Sequence, residues 1–440
     1  MTSVDRRVCI TGMGLISPLG NDKESLWEGL VNGRSGVATF SFTPPETMPV
    51  PFGAEAREFH GSIEDFGPLP KEQTKAIRKG LKVMCRECQM GVAAAQRALA
   101  DAGLGPGRFD PDRVGIEFGT DHMVTMPEEF SEGILKCLDD DWQFDFLRWA
   151  TDGMPKMNPL WLLKYLPNMP ASHLAIYNDL RGPNNSVTLR EAAANIAVGE
   201  SRQIILRGQA DVMVVGATGT RIHPIKAIHA RQQEELAACD GDPQEASRPF
   251  DRDRSGMVLG EGAAAIVLEE RASAEARGAT IYADVLAGTS SSAAGRDRVA
   301  DRGLAMKNAL QMALNSANVR PEDVGFVNAH GLSTRTADVE EAWAINQVLG
   351  GRDRPLPVVA PKSHFGNLGA GSGMMELIAG VLALRHGRLF PILNYRTPDP
   401  ECPVSVATMG DDRGPGKSFA NLSVTPQGQA SAALVGRYEG

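Results

Sequence analysis

Two successive series of apolar runs, each bounded by glycines and alternating with helix-like stretches, constrain this 440-residue chain more than any other feature. The first series contains RRVCITGMGLISPLG, a helical NDKESLWEGLVNG, then VGIEFGT and ADVMVVGAT. Short apolar runs separated by helical segments indicate strands buried on both faces of a sheet, which is the pattern of an α/β protein. Near residue 280 the series restarts with ATIYADVLAGTSS, a helix in GLAMKNALQMALNSANV, a strand in DVGFVNAHG and a further helix in DVEEAWAINQVLG. The chain therefore reads as two α/β halves, residues 1–270 and 271–440. At about residues 120–170 the first half is interrupted by MPEEF, DDDWQFDFLRW and NPLWLLKYLPNMP, an aromatic-rich insertion expected to form a cap or a tunnel wall.

Several function classes are disfavoured by composition. A net charge of −9 does not supply the concentrated Lys and Arg that phosphate neutralisation needs, so nucleic acid is not an expected partner. No run of eighteen apolar residues is present to span a bilayer, and the opening MTSVDRRVCITGMG passes into a strand-like run without a secretory pattern, so a cytoplasmic location is expected. The six cysteines (Cys9, Cys85, Cys88, Cys137, Cys239 and Cys402) are scattered and expected to be reduced. Cys85 and Cys88 form C-x-x-C, but no second ligand pair accompanies them, and KAIRKGLKVMCRECQMGVAAAQRALADAG reads as one long helix. Helix packing is the expected role, and no metal is expected.

In NNSVTLREAAANIAVGESRQIILRG a β-type run passes into an Ala-rich helix with no Gly or Pro spacer, which places Arg190 and Glu191 at a strand-to-helix junction. Backbone N–H groups and the helix dipole favour negative charge there, so a glutamate is electrostatically comfortable. Taken alone, Glu191 could be an ordinary first-turn acidic residue.

Seven segments, in order, carry a resemblance: VCITGMGLISPLG, LPNMPASHLAI, GPNNSV, GQADVMVVGAT, ASRPFDRDRSGMVLGEGAA, VNAHGLST and PKSHFGNLGAGSG. Together they resemble the elongating β-ketoacyl synthases that act on acyl carrier protein, and the resemblance covers residues 7 to about 438. It implies a thiolase-like α/β fold, with duplicated halves in five layers (αβαβα), and a dimer. It also implies a nucleophilic cysteine eight residues after the Gly-Pro proline, but counting from Pro183 reaches Glu191. A carboxylate cannot replace a thiolate in holding an acyl chain, because the anhydride formed would be far more labile than a thioester.

Carried across residue by residue, the resemblance makes His330 the first catalytic histidine, Lys362 the site lysine and Glu341 its acidic partner. The second histidine maps onto Asn367, whose amide could still donate one hydrogen bond to an enolate. A His and Asn pair serves that role in the related initiating and chalcone-type synthases. His364, two residues after Lys362 inside the same loop, is an additional histidine that could also reach the site. Two pantetheine-holding threonines map onto Leu332 and Thr334, and the glycine-rich gating loop reads NLSVTPQGQAS, with Pro426 and Gln427 before Gly428. Proline fixes the backbone and removes a donor, so a flexible gate is not expected.

Two readings follow. In the first, the chain is a chain-length-factor-like, non-condensing subunit of a type II fatty-acid or polyketide system. In the second, it is a malonyl-carrier decarboxylase, or another acyl-carrier-dependent transferase, using His330, Asn367 and a Glu191 whose pKa is raised by desolvation. Both expect acyl carrier protein as partner, a homodimer or a heterodimer with an active ketosynthase, and no cofactor beyond the carrier's phosphopantetheine. Lys71, Lys75, Arg78 and Lys79 cluster on one helix and resemble the family's carrier-docking patch, which would be complementary to an acidic carrier.

Overall fold

The computed structural model describes residues 6–440 apart from positions 106 and 240. The apolar runs form the strands that their composition predicts. In the first half Val8–Ile16, Val114–Thr120, Val212–Thr220 and Glu261–Glu270 are buried almost throughout. Numbering the five strands this half gives to the large sheet by their place in the chain, with Asn184–Thr188 third, their spatial order is 3-2-4-5-1. Strand 2 runs parallel to strands 3 and 4, and strand 5 is antiparallel to both of its neighbours.

The second half repeats this plan. Ala283–Ser292, Phe326–Asn328, Pro357–Val359, Ser418–Val424 and Gln429–Gly436 again take the order 3-2-4-5-1, with the same parallel and antiparallel relations. A short strand, Ser405–Val406, extends its outer edge. The two halves join where their first strands meet antiparallel, through Cys9 with Asp284 and Ile10 with Ala283.

Helices Ala193–Leu206 and Gly371–His386 pack between strands of the two halves. The second is buried on every side from Gly371 to Leu384, as a helix in a central layer must be. Arg86–Asp101 covers the outer face of the first half, and Arg302–Ala317, backed by Ala337–Leu349, covers that of the second. The result is the five-layer α/β arrangement expected from the resemblance. Among the described residues no helix is long and apolar enough to cross a membrane.

One expected element is broken. The segment read as a single helix forms Lys71–Gly80, a 3-10 turn over Leu81–Val83, and then the helix Arg86–Asp101. Met84 between them is extended, with φ −121° and ψ 127°, and Cys85 caps the second helix while its N–H donates to the Lys164 carbonyl at 3.3 Å. Continuous helical periodicity hides this break, because the turn changes the direction of the chain without a Gly-Pro signal. It leaves Lys71–Gly80 largely on the surface and turns Glu87 and Cys88 inward. Cys85 and Cys88 remain free thiols, and Cys88 packs in the core.

The insertion is built from short turns and the helices Ser131–Lys136 and Trp161–Lys164. Residues near its two ends, including Met126 and Tyr165, line a cavity.

The central layer depends on a close approach of two glycines. A Cβ on Gly288 would lie 2.4 Å from the Gly199 Cα and 2.7 Å from its nitrogen, so helix Ala193–Leu206 rests directly on strand Ala283–Ser292. Gly288→Ala should therefore lower the unfolding free energy by roughly 1–3 kcal/mol, the scale of core overpacking. Urea denaturation measures this, and an unchanged midpoint would contradict the contact.

Candidate functional site

Strand Asn184–Thr188 leads through Leu189 into a 3-10 turn over Arg190–Ala192 and then helix Ala193–Leu206. Arg190 has φ +53°, a left-handed conformation that costs a non-glycine residue energy and is held by its surroundings. The chain therefore turns sharply at Arg190 and delivers Glu191, only 2% exposed, to the interior. The strand-to-helix junction read from the sequence is present, but the helix terminus is not what chiefly holds the carboxylate.

Its main partner is Arg221, which follows the buried strand Val212–Thr220 and is 1% exposed. Arg221 donates to Glu191 Oε1 and, at 2.6 Å, to Asp121 Oδ2 at the end of strand Val114–Thr120. Asn367 Nδ2 donates to the same Glu191 oxygen at 3.1 Å and to Met257 Sδ at 2.9 Å. The other oxygen, Oε2, has no hydrogen bond and lies 3.6 Å from Arg190 Nε. Burial alone would raise the Glu191 pKa, but the cations of Arg221 and Arg190 outweigh it and bring it down to about 2. The Asp121 carboxyl is likewise held well below its usual range, burial being overridden by Arg221. Glu191 is thus an ionised partner in a buried network. The expectation of a desolvated glutamate with a raised pKa does not hold.

Arg190 also reaches outward. Its Nη1 donates to Gln233 Oε1 at 2.6 Å and to Gln427 Oε1 at 3.2 Å, so Gln427 closes one side of the site. Gly428, with φ +77°, completes the turn after Pro426, and Pro426 itself lines the cavity.

His330 is buried at the start of the loop after strand Phe326–Asn328. Lys362 Nζ donates to the His330 carbonyl at 2.7 Å and lies 3.2 Å from its Nδ1. An ammonium can only donate, so Nδ1 is the acceptor and the ring proton rests on Nε2. Burial, then the Lys362 charge, lower the His330 pKa well below the ordinary histidine value, so the ring is neutral.

The lysine's acidic partner is Glu376, on the central helix Gly371–His386, rather than Glu341. Glu341 instead accepts the backbone N–H groups of His330 at 2.6 Å and Gly331 at 2.8 Å, and so holds the histidine loop in place. Both are acidic residues on helices near the lysine, and only the fold decides which one faces it. His364 does not reach the site: its ring nitrogens lie 3.0 Å from the Arg34 carbonyl and 2.9 Å from the Pro391 carbonyl. Leu332 lines the site, whereas Thr334 is fully buried and accepts the Ala337 N–H at 3.3 Å, starting helix Ala337–Leu349. Lys71, Lys75, Arg78 and Lys79 are exposed on their own helix and do not line this cavity.

Glu191, His330, Asn367 and Leu332 therefore meet, joined by Arg221, Met257 and Pro426. The space among them is about 10 Å³. That is near the minimum that holds one water. No cysteine lines it. Sequence reasoning missed Asp121, Arg221 and Glu376. The one available signal was an arginine placed directly after the apolar strand ADVMVVGATGT, where a charge needs a buried partner.

Comparison with known proteins gives a family match across both halves. Residues 5–274 match the model described as "Beta-ketoacyl synthase, N-terminal domain" and residues 282–396 match "Beta-ketoacyl synthase, C-terminal domain". The chain is 34% identical over 400 residues to the 3-oxoacyl-[acyl-carrier-protein] synthase 2 of Synechocystis, covering 90% of each chain. It is 35% identical over 399 residues to the actinorhodin polyketide beta-ketoacyl synthase 1 of Streptomyces coelicolor, covering 90% of this chain and 81% of that one. Among solved structures, a chain of the ishigamide ketosynthase/chain length factor superposes with a TM-score of 0.82 at 29% identity, covering 99% of this chain and 100% of that chain.

Removing Arg221 alone would strand two buried carboxylates. Arg221→Met should therefore destabilise the protein by about 3–5 kcal/mol, and adding Asp121→Asn and Glu191→Gln should recover most of the loss. Because the Glu191 pKa is depressed from 4.5 to about 2, the stability it contributes is full above pH 4.5 and is lost as pH falls toward 2. Urea titrations should show the wild-type advantage over Glu191→Gln narrowing through that window. A loss below about 1 kcal/mol for Arg221→Met would show that the network is not a buried ion cluster.

Proposed function

Because the chain belongs to the β-ketoacyl synthase family, we propose that it is a non-condensing member, a chain-length-factor-like subunit that acts beside an active ketosynthase. The observation that carries this reading is the filled site, with only about 10 Å³ beside Glu191 and His330. A pantetheine arm with its acyl group needs many times that space. The cysteine that the resemblance expects at position 191 is a glutamate, whose carboxylate is bonded to Arg221 and Asn367. The Asn367 amide that could have donated to a thioester enolate donates to Glu191 and Met257 instead.

The decarboxylase reading needs a Glu191 able to exchange a proton near neutral pH and an open place for a malonyl group. The depressed Glu191 pKa argues against the first, and an ionised carboxylate would repel both the malonyl carboxylate and the developing enolate. Glu341 and Lys362, in this reading, hold the loop and the buried charge balance instead of serving a reaction.

The fold supports a subunit that is useful through its surfaces. The Synechocystis relative is named for an acyl-carrier-protein substrate, and the ishigamide structure pairs a ketosynthase with a chain length factor. By extension we assign this chain a heterodimeric partner of the ketosynthase kind. A carrier protein would meet the exposed Lys71, Lys75, Arg78 and Lys79, since clustered cations steer an acidic partner even on a protein of net charge −9.

Incubation of the purified chain with acyl- and malonyl-carrier thioesters should give no acyl adduct by intact mass spectrometry and no acetyl-carrier or carbon dioxide. Co-expressed with its ketosynthase, Glu191→Gln and His330→Ala should leave product formation within about twofold of wild type once stability is matched. Turnover of the isolated chain that falls roughly 10²-fold in His330→Ala, the scale of a lost oxyanion donor, would overturn the silent-subunit reading in favour of catalysis.

A further inference from the structure

Strand Asn184–Thr188 ends the large sheet and pairs on one side only, with Val114–Thr120. Its residues, Asn-Asn-Ser-Val-Thr, include no proline and no charge, the usual devices that blunt an open edge. Asn184, Asn185 and Thr188 are exposed, as is Ile176 on the adjoining helix Met169–Asn178. An unguarded edge of this kind accepts a strand from another chain.

Behind the edge lies a carboxylate without a cation. Glu117, on strand Val114–Thr120, stands opposite Asn185 and is 1% exposed. Asn185 Nδ2 donates to its Oε1 at 3.2 Å, its one side-chain hydrogen bond among the described residues. Gly119 lies on the same face of the strand, and a Cβ there would meet Ala193, so Glu117 looks toward helix Ala193–Leu206. That helix carries the exposed Glu200, and among the described residues neither carboxylate forms an ion pair. Burial, then the Glu200 charge, raise the Glu117 pKa to about 7. The cations that flank the edge in sequence are engaged elsewhere, Arg181 with Asp179 and Arg190 with Gln233 and Gln427.

Pairing with another strand would seal this corner from water, and a buried carboxylate with no cation is costly. In a two-fold dimer each copy offers the other the same strand, and Asn184–Thr188 contains no cation. Self-pairing would therefore enclose two unmatched Glu117 carboxylates, with both Glu200 side chains adding to the excess. A partner strand laid beside Asn184–Thr188 lies two strand spacings, about 10 Å, from the strand of Glu117. A glutamate and an arginine or lysine together span that distance across Asn185.

We propose that Glu117, with Glu200, selects the partner at this edge, an inference that rests on the heterodimeric reading above and names the residue that discriminates. It accepts a lysine or arginine from the other subunit's strand and disfavours a second copy of this chain. Attraction to one partner and repulsion of the other act together, as specificity between similar surfaces requires.

Sedimentation equilibrium of the full chain at pH 8 tests this with the chain's own variants as probes. Glu117→Gln, which keeps the size and the hydrogen bond from Asn185, should tighten self-association at least about tenfold over wild type. A second variant, Val187→Lys with Glu117→Gln, places a cation on the same strand face as Asn185 while lacking the acid. Labelled and mixed with wild type, it should form a mixed pair at least about tenfold tighter than the wild-type pair, and tighter than wild type mixed with Glu117→Gln alone. Thermal melting checks that each variant is folded. Self-association of Glu117→Gln no tighter than that of wild type, or a mixed pair to which the lysine adds nothing, would overturn the proposal. Either failure leaves the silent-site reading intact, whereas turnover by the isolated chain would overturn that reading without changing these association constants.

Discussion

Arg221 is the group on which the arrangement of the interior most depends. It is one of the largest fully buried side chains among the described residues, and it joins the ends of separate structural units: strand Val114–Thr120 through Asp121 and the elbow before helix Ala193–Leu206 through Glu191. A guanidinium in such a place is tolerable only because its planar fork meets two carboxylates at once. The three groups together carry one surplus negative charge, and Arg190 at the rim lies close enough to offset part of it. Satisfaction is still incomplete, since Arg221 Nε and Glu191 Oε2 have no hydrogen bonds. Such a network fixes geometry more reliably than it adds stability.

A second buried network fixes His330 and Lys362. The Lys362 ammonium bridges the histidine loop and Glu376 of the central helix, while Glu341 secures the same loop from the other side through two backbone N–H groups. Truncating any of these groups would leave a buried charge or donor uncompensated. Packing and charge balance thus hold all four groups in place.

The sequence made the fold legible where periodicity and composition speak locally. The apolar runs around Ile10, Ile116 and Val214 became buried strands, and the abrupt passage from NNSVTL to REAAAN became the elbow. Glu191, His330, Asn367 and Leu332 were brought together as the motifs implied. What could not be read were choices made across long separations. Arg221 after its apolar strand signals a buried partner, but nothing local names Asp121 as that partner until the sheet sets the strand ends side by side. Glu341 and Glu376 are chemically equivalent candidates for Lys362, and helix orientation alone separates them. The break at Met84 was hidden for a related reason: amphipathic periodicity continues through it, and tertiary contacts with Lys164 decide the direction of the chain.

The three-way sharing of charge also has a historical consequence. Residues 121, 191 and 221 form one energetic unit, so the effect of changing any one depends on the identity of the other two. A lineage carrying this trio cannot exchange Glu191 for an uncharged residue without leaving Arg221 half-matched, nor drop Arg221 without stranding two anions. Intermediate sequences that change one position at a time would pass through less stable states. The trio therefore acts as a ratchet: once assembled, it confines later drift to routes in which the three positions change nearly together, and among diverged descendants they should covary as a block.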